Sequence, residues 1–228
     1  MSNVGIIGGG VSGVISAIYA SKNGNKVTIL EKNNDILKKL LITGSGRCNY
    51  FNSDQNIKHY HSKNEEYLKE IITKENIDEL CCFYDSIGIV PKIKDGYYYP
   101  YSNMAISVKN ALVTEVLKSN IKLICNYDVK GVDYKNNEFI INNDKHFDKL
   151  IISTGSKAYP KTGSDGFGYS LVKKIGHTIN EVKPALVSLC SDDKILNIIS
   201  GVRANAKISL YHFDELLKEE IGEVQFVK

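Results

Sequence analysis

Val4-Gly5-Ile6-Ile7-Gly8-Gly9-Gly10-Val11-Ser12-Gly13 is the stretch that decides the fold. Its first four residues form the short apolar run of a buried strand. The next six fit G-x-G-x-x-G, and Val11, Val14, Ile15 and Ile18 then recur at i, i+3, i+4 and i+7, the stripe of a helix. Gly24-Asn25 ends that helix, and Lys26-Val27-Thr28-Ile29-Leu30-Glu31 reads as a second strand closing on a carboxylate. Together they make one βαβ unit, parallel and right-handed. A lone G-x-G-x-x-G says little, but between a strand and a helix it predicts a dinucleotide site. Gly8 permits the tight turn, Gly10 lets a pyrophosphate approach the backbone, and Gly13 lets the helix lie close to the strand. Val11 and Ser12 head the helix whose N–H groups and positive dipole face phosphate. Glu31, with Lys32 beside it, is expected to accept hydrogen bonds from ribose hydroxyls, which disfavours a 2′-phosphate there.

Outward from this unit, residues 33–62 form a loop long enough to be functional. Helical patterns follow at 65–72, 77–87 and 105–117, around an extended aromatic segment at 96–101. Short strands are expected at 121–125, 129–134, 138–141 and 150–153, with turns at Asn136-Asn137 and Asn142-Asn143. This order predicts an open parallel α/β sheet of Rossmann-like type, interrupted by a small antiparallel meander and re-entered at Leu150. The sheet then reverses beside its first strand, which brings Gly8–Gly13 and Thr154-Gly155 into one crevice. A helix is expected over 165–175, capped by Ser164 or Asp165 and ended by Gly176. After Pro184 the pattern changes, and 208–211 and 224–227 look like strands of a different antiparallel unit. The expected division is a dinucleotide-binding domain over 1–190 and the beginning of a mainly β domain over 191–228.

With 228 residues, 43% of them hydrophobic, the chain can bury a full core. Its 29 basic and 26 acidic residues give a net charge of +3 without long blocks of one sign, so no nucleic-acid partner is expected. The apolar run at Val4 is too short to cross a bilayer, and glycines follow it where a secretory peptide would stay apolar; a cytoplasmic protein with no membrane partner is expected. Five cysteines without a C-x-x-C pair argue against a disulfide framework or a zinc site. Cys81 shares a helical stripe with Ile77, Leu80 and Tyr84 and reads as a packed thiol. The five histidines lack ligand spacing, so no metal is assigned.

The glycine unit does not separate FAD from NAD. Thr154-Gly155, after the strand Leu150-Ile151-Ile152-Ser153, resembles the closing element of flavoproteins that bind two dinucleotides. Leu40-Leu41-Ile42-Thr43-Gly44-Ser45-Gly46-Arg47-Cys48-Asn49 sharpens this, together with Thr162-Gly163-Ser164-Asp165-Gly166-Phe167-Gly168-Tyr169 and Gly176-His177-Thr178. With Tyr99-Pro100-Tyr101-Ser102 and Lys183-Pro184-Ala185-Leu186-Val187, these segments resemble a bacterial family of NAD(P)/FAD-dependent, aminoacetone-oxidase-like flavoproteins. The resemblance implies FAD across Gly8–Gly13 with Glu31 on its ribose and the backbone of Val129 at its adenine. It places Thr43, Gly44, Gly46, Arg47, Cys48 and Asn49 near the ribityl chain and flavin.

Arg47 offers a cation for phosphate or reduced flavin, or else makes a structural ion pair. Asn49 orients the loop or contacts the cofactor. Cys48 has no second cysteine nearby, which rules out dithiol chemistry and leaves a packed or flavin-proximal thiol. The sequence departs from the family at Leu37-Lys38, where relatives carry Gly-Arg. Relatives are also longer: their chain leaves near Ser191 for an inserted domain and returns with a glycine-rich segment completing the flavin site. The implied activity is hydride transfer through FAD between NAD(P)H or a small organic substrate and an acceptor, with no catalytic acid or base assignable. The alternative is a dinucleotide-binding protein without turnover. Oligomeric state is not readable from the residues.

Overall fold

The computed structural model describes residues 1–62, 64–184 and 188–227. The chain divides into two compact units, Met1–Glu181 and Val182–Lys228, so the division falls ahead of the boundary expected after 190. Of the family-like stretch 183–187, residues 185–187 lie outside the described residues.

The first unit opens with β1 (Asn3–Ile7), α1 (Val11–Lys22) and β2 (Lys26–Leu30). The long loop after β2 contains a 3-10 turn, Leu40–Gly46, and β3 (Phe51–Asn52). Next come α2 (Glu65–Ile71), α3 (Lys74–Ser86), the hairpin β4 (Pro91–Lys94) and β5 (Tyr97–Pro100), and α4 (Ala105–Lys118). Helix α3 starts ahead of its apolar stripe because the Thr73 hydroxyl accepts the Asn76 N–H at 3.2 Å, capping the first turn. β6 (Lys122–Ile124) leads to the meander β7 (Val132–Lys135), β8 (Glu138–Ile141) and β9 (Lys145–Phe147), then β10 (Lys149–Ile152) and α5 (Phe167–Lys174). The paired asparagines at both meander turns have φ between 52° and 63°, the left-handed conformation a tight hairpin turn requires. Asp165 Oδ1 accepts the Phe167 N–H at 3.0 Å at the start of α5.

The main sheet has the order β10-β1-β2-β6, all parallel. Its strands alternate between two apolar layers. Ile6 and Ile29 point to the side that buries Val14 and Ile18 of α1 and Val108, Leu112 and Val116 of α4. Ile7 and Leu30 point to the other, with Val129, Val132, Ile141, Phe147 and Leu171. Leu112 is fully buried, and its truncation to alanine is worth about 2–5 kcal/mol. Because all four strands run the same way, the carboxyl ends of β1, β2 and β10 meet at one edge, the place where such sheets bind ligands.

The second unit contains α6 (Ile195–Ile198) and an antiparallel pair, β11 (Arg203–His212) and β12 (Glu215–Gln225). Strand β12 begins well before the expected 224. Residues 215–223 lack a period-two pattern, and their strand is set by register with β11 and by cross-strand pairs such as Lys207–Glu219 at 2.8 Å.

Candidate functional site

At the carboxyl edge of the sheet the chain turns sharply after β1. Gly8 has φ +105°, and a Cβ there would come within 2.6 Å of the Ser153 carbonyl oxygen, so only glycine fits. The Gly8 N–H donates to Leu30 O at 2.9 Å, and the Ser153 hydroxyl lies 3.0 Å from both Ile7 O and Gly8 O. A Cβ at Gly13 would run into Gly8 O and Ser153 Oγ, and one at Gly9 into the Ile36 side chain. Gly10 differs from these three. A Cβ there would meet nothing within 4 Å, and Gly10 precedes α1, whose start has no side-chain cap and no acidic residue in its first turn. The helix therefore presents its first N–H groups to open space.

That space is a cavity of about 650 Å³. Gly8, Gly10, Val11, Ser12, Glu31, Lys32, Thr43, Cys48, Asn49, Val129, Thr154 and Gly155 all line it, although they come from five separate stretches of sequence. Gly13, Gly44, Gly46 and Arg47 are not among its lining. Gly13 packs against Gly8 O and Ser153 Oγ. Arg47 is half-buried; its Nε donates to Gly44 O at 3.1 Å and its guanidinium lies 5.2 Å from the centre of the Tyr99 ring.

Glu31 is buried and heavily engaged. Its Oε2 accepts the Gly9 N–H at 2.7 Å, and its Oε1 accepts the Asn33 N–H at 2.8 Å and the Asn33 amide at 2.6 Å. Lys32 pairs with Asp165 at 2.8 Å, which holds the Asp165 carboxyl below its ordinary range, and Lys39 reaches the Ser164 hydroxyl. Asp35 on the cavity wall is held low in the same way by Lys109 of α4.

The Thr43–Asn49 loop is shaped by torsions. Ser45 and Cys48 have φ +55° and +59°, and Leu37 in the preceding turn has φ +62° with its side chain buried. Burial pushes the Cys48 thiol up, against a smaller opposing effect of Thr43, so the neutral thiol is favoured. The Asn49 amide reaches Phe51 O at 3.0 Å and Tyr98 O at 3.2 Å, tying the loop to the β3–β5 pair. Tyr84, also lining the cavity, has its hydroxyl pushed up to about 12 by burial.

Sequence reasoning missed Asn33, Ser153 and the Asp35–Lys109 pair. Ser153 had a signal, since it directly precedes Thr154-Gly155. Lys109 had none, since Asp35 is far away in sequence, and Asn33, though two residues from Glu31, gave no sign of its distant contact with Thr162.

Among the described residues no group of three or more His, Cys, Asp or Glu could hold a metal ion, and no helix is long and apolar enough to cross a membrane.

A 3-dehydro-bile acid delta(4,6)-reductase of Clostridium scindens is 36% identical over 230 residues, spanning 99% of this chain and 56% of its own length. A ribosomal RNA dihydrouridine synthase of Haemophilus influenzae is 26% identical over 86% of this chain and 51% of its own. The chain thus spans about half the length of the curated relatives it matches. The even charge balance is no ground for excluding nucleic acid when one such relative acts on ribosomal RNA. Among solved structures, 3-ketosteroid-delta4-(5alpha)-dehydrogenase of Rhodococcus jostii, in complex with 4-androstene-3,17-dione, shares the fold at a TM-score of 0.50 and 13% identity, over 69% of this chain and 46% of its own. The sequence pattern of the HI0933-like protein Rossmann domain matches residues 2–223, and the chain belongs to that family.

Proposed function

We propose that the first unit is the FAD-binding half of an oxidoreductase that passes electrons from NAD(P)H to a small organic substrate. The observation that carries this reading is the open space at Gly10. Three glycines of the loop are packed shut, and the fourth leaves room at an uncapped helix start for a diphosphate to reach the backbone. Glu31, Val129, Thr43, Cys48 and Asn49 line the same cavity, which supports giving Glu31 a ribose hydroxyl, Val129 the adenine and the other three the flavin side.

FAD, when bound, supplies the hydride chemistry. The chain's own part is positional. The N–H groups of α1 neutralise phosphate charge, the carboxylate of Glu31 orients the nucleotide, and the neutral Cys48 thiol adds bulk without a second charge. The reductase relative supports a conjugated ring compound as substrate: NAD(P)H gives up a hydride, and the substrate's carbon–carbon double bond gains hydride and a proton. A ribosomal RNA uracil ring is the second reading, favoured by the dihydrouridine synthase relative.

The test is to incubate the protein with FAD, desalt, record the visible spectrum, and mix the yellow form anaerobically with NADPH or NADH. Retained flavin that bleaches and is reoxidised by a conjugated steroid ketone supports the reading. A colourless protein after desalting contradicts it, and flavin that no nicotinamide reduces removes the electron donor.

A further inference from the structure

We infer that Asn33 is a positioning residue: it fixes the Glu31 carboxylate and locks it to the turn over the nucleotide end of the cavity. This rests on the dinucleotide reading above. Asn33 donates twice to one oxygen of Glu31, from its backbone at 2.8 Å and from its side chain at 2.6 Å. The same amide nitrogen reaches Thr162 O at 3.4 Å, and the Asn33 carbonyl accepts the Asn126 N–H at 2.9 Å. One residue therefore stands where three walls meet, its side chain reaching the end of β2 and the 160–166 turn and its backbone carbonyl the 126–129 segment. Gly163 sits directly against it, with φ +102°, and a Cβ there would run into the Asn33 amide.

A carboxylate has about four acceptor directions. Gly9 and the two Asn33 donors occupy three of them, so Glu31 is held in one rotamer with about one direction left for a ligand hydroxyl. A carboxylate that must be ordered on binding loses that ordering from affinity. A pre-ordered one does not, and the ordering here comes from Asn33. The inference concerns the adenosine end alone, so ADP is the appropriate probe.

Asn33→Asp keeps the shape and replaces the side-chain donor by an oxygen facing Glu31. ADP binding is measured by calorimetry on wild type, Asn33→Asp and Gly163→Ala from about pH 8 down to about pH 5.5, because two carboxylates in contact take up a shared proton as pH falls. Charged and titratable groups around the contact include the Lys32–Asp165 and Lys109–Asp35 pairs, Lys39 on Ser164 and the Cys125 thiol near Glu31, and wild type provides the baseline for them. Asn33→Asp is expected to bind ADP roughly tenfold more weakly at the upper pH and to recover most of that loss at the lower one, which also shows that it is folded. Gly163→Ala, which displaces the amide from outside, is expected to weaken ADP at every pH. Wild-type-like affinity of Asn33→Asp throughout, with wild type binding ADP, overturns the role of Asn33 and leaves the dinucleotide reading intact. Failure of wild type itself to bind ADP overturns both.

Discussion

Gly8–Gly13 and Thr43–Asn49 flank one cavity, and they hold their shapes by different means. In the first loop the glycines are required mainly by proximity: at Gly8, Gly9 and Gly13 another atom already occupies the place of a side chain. In the second, torsion is the main constraint, with contact added at Gly44, where a Cβ would come within 2.9 Å of Asn49 N. Gly44, Ser45, Gly46 and Cys48 all have positive φ, and two of the four carry side chains despite the cost. Hydrogen bonds from Thr43 to Leu40 O and from Arg47 to Gly44 O, with the Asn49 amide, hold that loop from outside. A loop fixed by contact is rigid before any ligand arrives. A loop held by torsions and a few peripheral bonds is easier to deform, which suits the wall that must accept a ring.

The largest effect that would break this comparison is at Gly13. Gly13→Ala forces a methyl against Gly8 O and Ser153 Oγ, where backbone cannot yield, and is expected to cost roughly 3 kcal/mol, or about 6–12 °C in Tm. A thermal melt within 2 °C of wild type, on the order expected of a surface change, would show that the first loop is not fixed by contact.

Arg47 tests the second loop. Its removal to alanine takes away, among its contacts, the hydrogen bond to Gly44 O and the cation–ring contact with Tyr99, an expected loss of at least about 1–2 kcal/mol in urea unfolding. Arg47→Lys should recover less than half of it, because lysine lacks the planar group that stacks. Full recovery by lysine would mean that charge, not the loop brace, is what matters.

The smallest effect is expected at Cys48. With its thiol buried and favoured in the neutral form, alkylation at neutral pH should be much slower than at the exposed Cys82 and Cys190, and should speed up only as pH rises well above the ordinary thiol range. Cys48→Ser should leave flavin reduction nearly unchanged in stopped-flow mixing. Rapid alkylation at neutral pH, or a loss of several orders of magnitude in reduction, would give the thiol a chemical role.

The parts of the molecule that were legible in sequence are those whose causes are local. The βαβ unit announces itself by glycine spacing and a helical stripe, and the meander by its asparagine pairs. The return to the sheet at Leu150 follows from a short apolar run before Thr-Gly. Strand β4 was missed because Pro91-Lys92-Ile93-Lys94 is exposed and becomes a strand by pairing with Tyr97–Pro100. The site shows the same division. Glu31 and Gly10 are legible because their positions in the motif carry the chemistry. Asn33 is an unremarkable loop asparagine until the fold brings Thr162 and Gly163 beside it, and Arg47, named by the motif, is not among the cavity's lining and donates to Gly44 O of its own loop.

Retention of FAD by wild type and by Gly10→Val after desalting, read from the visible flavin band beside a thermal melt of each protein, tests the central claim most directly. A Cβ at this position meets no protein atom within 4 Å, and valine fills the space assigned to the diphosphate. The expected result is a yellow wild type and a colourless variant, with affinity lowered more than about 100-fold and stability changed by less than about 1 kcal/mol. A folded Gly10→Val protein that keeps its flavin would contradict the assignment of this cavity.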